Sequence, residues 1–292
     1  MRVVVEYPEG PFGVAEGRAA GLSRSRMRAL GLSSPVYGIR STEPVVSLAD
    51  RCAAVLHRLG DHVFVCGPTA ALLWGAPLDR RWEQRLVLDV AVAAPARAPH
   101  ARGLAGRSLT VDRAADLVIG RRGALTSPAR TWCDLGAVLD LPDLVAVGDD
   151  LLHRGLVSEE TLHAALARYP GRRGIADLRR AVRLVDARAE SRPESRVRVA
   201  LVLAGISGIE ANVEIWDEAG VVLGRVDLCI ASGRVAVEYH GDYHRSEPGR
   251  WRKDVARARR LRAAGWNVIE LTGADLADLA SVVAQVRAAL QR

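Results

Sequence analysis

The chain of 292 residues has few aromatic side chains, a single lysine and no long apolar run. Phenylalanine, tryptophan and tyrosine make up 4% of the residues, so leucine, valine and alanine must fill the cores. No apolar stretch approaches the roughly 18 residues of a membrane-spanning helix, and the apolar start of the chain is interrupted too early for a signal peptide. We therefore expect a cytoplasmic protein without a membrane partner.

Cysteine is also scarce, and its spacing argues against both a zinc site and a disulfide framework. The four cysteines form no Cys-x-x-Cys pair, and each is flanked by apolar residues. This pattern is typical of buried thiols. The cysteines are Cys52, Cys66, Cys133 and Cys229.

The charge balance permits a polyanionic partner. The net charge is +7 and the isoelectric point is about 9.8, which favours association with nucleic acid without proving it. Lys253 is the single lysine, and arginine supplies the rest of the 41 cationic residues. Such a bias is typical of a GC-rich genome, so the abundance of arginine alone is weak support for phosphate binding.

The length is sufficient for two domains or one large one, and the pattern suggests three segments. In residues 1–45, Val14–Ala20 predicts a helix, Arg24–Leu30 a second, basic helix, and Pro35–Arg40 a strand or wing. This order is typical of a winged helix-turn-helix, although a solvated basic helix that caps the next domain is the alternative. The arginines that would contact nucleic acid here are Arg24, Arg26 and Arg28.

Residues 46–185 predict a mixed α/β region. Apolar periodicity predicts five helices, one strand and a short strand or turn, and the stretch Pro95–Arg107 predicts a loop. Asp149, Asp150 and His153 share one helical stretch, where polar residues at this spacing are typical of a solvated face rather than a metal site. The predicted elements are helices Leu48–Leu59, Pro68–Trp74, Ala129–Leu139, Leu144–Leu152 and Glu159–Ala167, a short strand or turn Val63–Gly67, and strand Leu86–Val92. A further short helix, Ile175–Val185, is expected to lead to the last segment.

Residues 186–292 predict the order α-β-β-β-α-β-α, a mixed sheet flanked by helices. With the preceding segments this gives a fold of the α/β class, mixed α+β overall. The predicted helices are Pro193–Ala204, Arg250–Ala264 and Ala274–Leu290, and the predicted strands are Val213–Trp216, Val221–Ile230, Arg234–Tyr239 and Asn267–Leu271.

Two carboxylates stand out in this last segment. Asp227 and Glu238 lie at opposite ends of a predicted β-hairpin whose turn is Ala231–Gly233. Pairing of the strands would bring the two carboxylates together, and carboxylates that close repel each other unless a cation lies between them. The sequence therefore predicts a divalent-cation site at the end of the hairpin.

The order of elements and the acidic positions resemble those of the PD-(D/E)XK restriction-endonuclease-like superfamily, most closely the branch with the very-short-patch-repair endonucleases. The resemblance covers about residues 188–292. It rests on Glu194 in Ser-Arg-Pro-Glu-Ser-Arg, on Asp227 in Gly-Arg-Val-Asp-Leu, and on Glu238-Tyr-His240-Gly-Asp-Tyr-His244. One departure concerns the third catalytic position of the family, which is often lysine and here is His240.

The resemblance implies a metal-dependent DNA endonuclease that hydrolyses phosphodiester bonds in DNA repair or phage defence. Asp227, Glu238 and the Tyr239 carbonyl would bind Mg²⁺ or Mn²⁺, and Glu194 would act through a water. His240 would orient or deprotonate the attacking water or ligate the metal, and His244 would contact the phosphate or protonate the leaving oxygen. The basic residues expected to bind backbone phosphates are Arg250, Arg252, Lys253, Arg257 and Arg260.

Simpler interpretations remain open for each of these residues. Asp227 can pair with Arg225 or Arg234, and Glu238 with another arginine. His240 and His244 can be surface histidines. Glu194 can serve only to favour a helix N-terminus, and the arginine-rich helix can be a solvated face.

Residues 46–185 carry a second, looser resemblance, to the AbiEi-like type IV antitoxins. It rests on the segments Cys66–Gly75 and Thr126–Leu135. This resemblance implies binding of DNA or of a partner rather than catalysis. The alternative function is therefore a DNA-binding, antitoxin-like regulator with an inert nuclease domain, and a second copy of the chain or a defence-system partner stays open as a further partner.

Overall fold

The computed structural model describes residues 7–8, 10–28, 31–34, 36–241 and 248–291, the side chains of 248–254 excepted. The chain divides into two compact units. The first comprises Met1–Leu135 and Ala164–Arg172, and the second comprises Gly136–His163 and Arg173–Arg292. The three-segment division expected from the sequence stays a prediction.

The first unit is built around a mixed five-stranded sheet. Its strand order is β5-β4-β3-β7-β6, with β4 antiparallel to β3 and parallel to β5. A separate two-stranded sheet pairs β1 with β2. The elements are β1 Phe12–Gly13, α1 Val14–Ala19, β2 Ile39–Arg40, α2 Leu48–Leu59, β3 Val63–Val65, α3 Gly67–Leu73, α4 Arg80–Glu83, β4 Leu88–Ala93, β5 Leu104–Leu109, α5 Arg113–Asp116, β6 Leu117–Gly120, β7 Gly123–Thr126 and α6 Pro128–Leu135.

The predicted second helix of the amino-terminal segment is wrong for the residues that the structure describes. In place of a helix from Arg24, a single 3₁₀ turn spans Arg26–Arg28. The Ser23 hydroxyl accepts a hydrogen bond from the Arg26 amide at 3.2 Å, which starts this tight turn. The wing reduces to Ile39–Arg40, paired with Phe12–Gly13. A helix-turn-helix arrangement is therefore not formed by the described part of residues 12–40.

The loop predicted over Pro95–Arg107 is also only partly correct, because β5 begins within it at Leu104. This strand contains small and polar residues without clear alternation, which hides it from a periodicity argument. It lies at the edge of the sheet beside β4. Its Gly106 has no room for a side chain, since an added Cβ would fall 1.7 Å from the Pro99 carbonyl oxygen.

The second unit combines helices with a mixed four-stranded sheet. The strand order is β11-β10-β9-β8, with β11 parallel to β10 and the other pairs antiparallel. This confirms the mixed α+β class predicted from the sequence. The remaining elements of the chain are α7 Leu141–His153, α8 Glu159–Arg168, α9 Ile175–Ala181, α10 Arg192–Leu203, β8 Ile209–Trp216, β9 Val222–Ile230, β10 Val235–Tyr239, α11 Pro248–Ala263, β11 Asn267–Leu271 and α12 Leu279–Leu290, of which α8 is divided between the units after His163.

Both faces of the four-stranded sheet are covered by helices. Leu228, Val237 and Leu271 pack on one face against residues of α10 and α12. Cys229 and Ala236 pack on the other face in a cluster that includes residues of α11. The sheet therefore separates two apolar layers, with the alternation of β8 and β9 interrupted near Asn212 and Asp227. Among the helices that the structure describes, none is long and apolar enough to cross a membrane.

Asp149 departs from its predicted place on a solvated face. It is 1% exposed and lies on α7, where its Oδ2 accepts hydrogen bonds from Arg198 at 2.7 Å and from the Ser195 hydroxyl at 2.6 Å. Its Oδ1 accepts one from the Asp186 amide at 2.6 Å. A buried carboxylate needs such partners, so Asp149 joins α7 to α10. Asp150, the next residue, forms a surface ion pair with Arg154.

We predict that Asp149→Ala lowers the free energy of unfolding by about 3 kcal/mol, because it leaves the buried Arg198 guanidinium without its carboxylate. Asp150→Ala is the matched control and should cost less than about 1 kcal/mol, since it removes an exposed i,i+4 pair. Urea unfolding followed by circular dichroism measures both. Equal losses in the two variants would contradict a buried, joining role for Asp149.

Candidate active site

The hairpin of β9 and β10 carries the two predicted acidic residues just beyond the end of its ladder. The antiparallel ladder of β9 and β10 ends at the pair of Val237 with Leu228, and Glu238 and Asp227 are the residues that come next to it on the two strands. Residues directly opposite each other in an antiparallel pair point to the same face. Glu238 follows the alternation of Ala236, which lies in the cluster covered by α11, whereas the alternation of β9 is interrupted at Asp227, with Val226 in that cluster and Leu228 in the other. The meeting of the two carboxylates stays a prediction, and both side chains line the same pocket.

Asp227 lies in an environment that disfavours its ionised form. Burial raises its pKa to about 6 and the nearby Glu194 carboxylate adds to this, while the Tyr239 amide, Arg257 and His240 oppose it. The Tyr239 amide donates to Asp227 Oδ2 at 2.7 Å. The alternative partners of Asp227 lie elsewhere, since Arg225 donates to Glu190 at 2.5 Å and Arg234 to the Ala264 carbonyl at 3.4 Å.

Glu238 meets an arginine. It is 5% exposed, and its Oε2 accepts a hydrogen bond from Arg257 Nη2 at 2.6 Å. Arg257 lies on α11, where it was predicted to bind nucleic acid. A guanidinium therefore stands beside one of the two carboxylates that were expected to bind a metal, as in the simpler interpretation of Glu238.

Glu194 is positioned by a cap at the start of α10. The Ser191 hydroxyl donates to Glu194 Oε1 at 2.7 Å, and the Glu190 amide donates to Oε2 at 3.0 Å. Asn212 Nδ2 donates to the same Oε2 at 2.8 Å. This reciprocal arrangement satisfies free amides at the helix start. The predicted carboxylate is thus at the site, and its oxygens accept three donors of the protein.

Asn212 reaches Glu194 because the strand is irregular there. In β8 the ladder pairs Ala211 and Val213 but not Asn212, whose φ is 53°. Asparagine tolerates this left-handed conformation better than most residues. The kink turns the amide toward α10, where it also donates to the Arg188 carbonyl at 2.8 Å.

His240 follows β10 and is paired with Glu270 of β11. Its Nε2 lies 3.3 Å from Glu270 Oε1, and Arg262 donates to Glu270 Oε2 at 2.6 Å. Burial opposes the ionisation of Glu270, but Arg262 and His240 together lower its pKa. Glu270 therefore stays a carboxylate that orients the imidazole, which is 29% exposed.

The acidic residues line one pocket of 380 Å³. Its wall contains four carboxyl side chains and two arginines, together with Tyr239 and His240. Carboxylate and carbonyl oxygens are the ligands that Mg²⁺ prefers, so the chemistry of the donors fits this ion. In the described part of the chain, however, no three histidine, cysteine, aspartate or glutamate side chains are disposed to hold a metal together. The charged members of the wall are Glu190, Glu194, Asp227, Glu238, Arg225 and Arg257.

The other predicted residues lie around or outside this pocket. His244 falls outside the described residues, as do the side chains of Arg250, Arg252 and Lys253. Arg260 is exposed on α11 and its Nε donates to the Leu223 carbonyl at 3.1 Å.

The amino-terminal arginines form part of a different cleft, in the first unit. It has a volume of 890 Å³, and Arg24 and Arg28 line it. Three further arginines line this cleft, and no sequence pattern had singled them out. They are Arg18, Arg40 and Arg58. Arg26 lies on the same turn but is not part of the lining.

Three residues of the site escaped the sequence argument: Glu190, Asn212 and Glu270. Glu270 had a usable signal, because it alternates with apolar residues in Asn267–Leu271 and parallel pairing places it beside Glu238. Asn212 and Glu190 had none, since a kinked strand and a residue before a helix leave no periodic trace.

Comparison with known proteins identifies relatives without a described activity. The chain is 28% identical over 246 residues to uncharacterized proteins from two strains of Mycobacterium tuberculosis, CDC 1551 and H37Rv. The match covers 84% of this chain and 87% of each relative. No family model matches the chain, and no solved structure matches it.

The raised pKa of Asp227 predicts a pH-dependent cost to folding. Its folded pKa of about 6 lies above that of an unfolded aspartate, so the folded state holds the proton more tightly. Stability should then fall as the pH rises through about 4 to 6 in EDTA, and Asp227→Asn should not show this fall. The expected advantage of Asp227→Asn at pH 7 is about 1–3 kcal/mol.

Unfolding by urea at pH 4, 5, 6 and 7 measures this difference. Glu218→Gln, in the exposed turn after β8, is the control and should follow the wild type at every pH. A constant difference between Asp227→Asn and the wild type across the range would contradict the raised pKa.

Proposed function

We propose that the chain is a metal-dependent endonuclease that hydrolyses phosphodiester bonds in DNA, with its active site in the second unit. One observation carries the proposal. Asp227 at the end of the β9 ladder and Glu238 at the end of the β10 ladder line one pocket, which Glu194 and His240 also line. Few structural needs account for such a group of carboxylates beside an exposed histidine.

The order of elements supports the same proposal. From α10 to β11 the chain runs α-β-β-β-α-β, which is the order that the resemblance to restriction-endonuclease-like proteins led us to expect. In the proposed assignment, Asp227 lies on β9, the first strand of the hairpin, and Glu238 lies on β10, the second. A role in DNA repair or phage defence is part of the proposal and rests on the resemblance alone.

The residues of the pocket suit a hydrolytic reaction. Asp227, Glu238 and the Tyr239 carbonyl would hold Mg²⁺ or Mn²⁺, which when bound makes a water more acidic and neutralises charge on the phosphate. His240 would accept a proton from the attacking water, with its ring oriented by Glu270 at 3.3 Å from Nε2. Glu194 would act through a water and not as a direct ligand, since three hydrogen-bond donors of the protein already engage its carboxylate.

DNA binding is proposed for basic side chains that lie apart from the acidic pocket. Arg260 is available on the exposed side of α11. Each arginine that neutralises a backbone phosphate releases counterions and makes binding salt-dependent. We assign the same kind of contact to Arg24 and Arg28 in the first unit, where they line a cleft with three other arginines.

We predict that purified protein cuts supercoiled plasmid or DNA oligonucleotides in Mg²⁺ or Mn²⁺ and not in EDTA. Glu238→Gln and Asp227→Asn should each lower the rate by about 100-fold or more, because loss of a ligand removes several kcal/mol of transition-state stabilisation. Gel electrophoresis of single-stranded and duplex substrates gives the rates. Glu218→Gln, in the exposed turn between β8 and β9 and not part of the pocket lining, serves as the matched control.

Cleavage at the wild-type rate in both Glu238→Gln and Asp227→Asn would contradict the proposed active site. Circular dichroism of each variant must match the wild type, so that lost cleavage reports on the site and not on the fold. His240→Ala should shift the pH profile of the rate as well as reduce it.

A second function is favoured by one specific contact. Arg257 forms an ion pair with Glu238, and histidine replaces the lysine that the family often carries. Both features suit a nuclease-like unit that has lost catalysis and serves a DNA-binding, antitoxin-like regulator. This candidate expects salt-sensitive duplex binding in EDTA and no cleavage product with either metal.

A further inference from the structure

Arg257 is held in place along its whole length. Its methylene stem lies across Gly224 of β9, where an added Cβ would fall 2.5 Å from Arg257 Cγ. Its guanidinium lies 2.6 Å from Glu238 Oε2. The side chain is 27% exposed, whereas that of Glu238 is 6% exposed. The glycine therefore leaves a groove that directs the arginine onto the buried carboxylate.

The contact performs the electrostatic task expected of a metal ion. A buried carboxylate is costly unless a positive charge compensates it, and Arg257 supplies that charge to Glu238. Of the two arginines in the pocket wall, the other, Arg225, is engaged by Glu190 at 2.5 Å. Arg257 is thus the arginine of the pocket wall that contacts Glu238, and its charge also acts on Asp227.

We propose that Arg257 is a resident counter-ion that competes with the divalent cation for Glu238, so that the ion binds only when this guanidinium leaves the carboxylate. The inference rests on the proposed metal-dependent function, and it makes Arg257 a positioning residue rather than a ligand. The displaced guanidinium of Arg257 would then pair with the phosphate of an incoming substrate. This exchange of partners would couple metal binding to substrate binding.

The test compares Mg²⁺ binding to wild type, Arg257→Gln and Arg257→Leu by isothermal titration calorimetry without DNA. Removing a positive charge a few ångströms from the ion should tighten Mg²⁺ binding about tenfold or more. Arg259→Gln removes an equal charge from the exposed side of the same helix, and its Mg²⁺ affinity should match the wild type. Glu238→Gln should abolish the tightening when combined with Arg257→Gln.

Thermal unfolding separates this role from a merely structural one. In EDTA, Arg257→Gln should melt below the wild type, because Glu238 loses its counter-ion. In saturating Mg²⁺ most of that deficit should disappear, since the ion replaces the guanidinium. A structural role would lower the melting temperature equally in both conditions.

The outcomes distinguish this inference from the function on which it rests. Mg²⁺ binding by the wild type with unchanged or weaker affinity in Arg257→Gln and Arg257→Leu would overturn the competition and leave the nuclease proposal intact. Absence of Mg²⁺ and Mn²⁺ binding in every variant would overturn both. We expect tighter Mg²⁺ binding in the Arg257 variants alone. We also expect Mg²⁺ to remove most of the loss in melting temperature that Arg257→Gln shows in EDTA.

Discussion

The antiparallel register of β9 and β10 is the constraint on which the rest of the second unit depends. Just past the pair of Val237 with Leu228 the two strands carry Glu238 and Asp227, two carboxylates that line one pocket. Like charges directly opposite in a ladder destabilise a sheet. The surroundings reduce this repulsion differently at the two residues. Asp227 accepts a hydrogen bond from the Tyr239 amide and has a raised pKa, whereas Glu238 accepts a hydrogen bond from the Arg257 guanidinium. The two members of the pair are therefore chemically unequal.

The surroundings of the pair follow from how the neighbouring elements are anchored. The start of α10 is fixed by the exchange between Ser191 and Glu194, and the kink at Asn212 ties that carboxylate to the sheet. Behind it, Asp149 joins α10 to α7 through Arg198. Burial of these polar groups is acceptable because each has charged or hydrogen-bonding partners. A rigid frame of this kind keeps the Glu194 carboxylate near Asp227, whose pKa it helps to raise.

The sequence predicted what depends on local periodicity and missed what depends on tertiary partners. Strand Asn267–Leu271 and helix Leu48–Leu59 were predicted with their observed bounds, because a short apolar run and an amphipathic helical pattern mark them. The hairpin followed from two apolar runs around a short turn. An arginine partner for Glu238 was an open alternative, but its identity as Arg257 and the burial of Asp149 could not be predicted, because each is decided by an arginine distant in the chain. The basic helix from Arg24 failed since arginines favour a helix only weakly without an apolar face to bury.

The charge of the whole chain and that of the pocket have opposite signs, and this contrast limits what the pocket can accept. The chain carries +7, which attracts polyanions over a distance. The pocket wall has four carboxyl groups and only two guanidinium groups, so a phosphodiester that enters it meets like charge. Both arginines are already engaged by carboxylates. A phosphate can therefore approach Asp227 and Glu238 closely only if protons or added cations neutralise them. Because Glu238 is compensated by Arg257 while Asp227 has no such counter-ion among its described hydrogen bonds, Asp227 is where an added cation would gain the most.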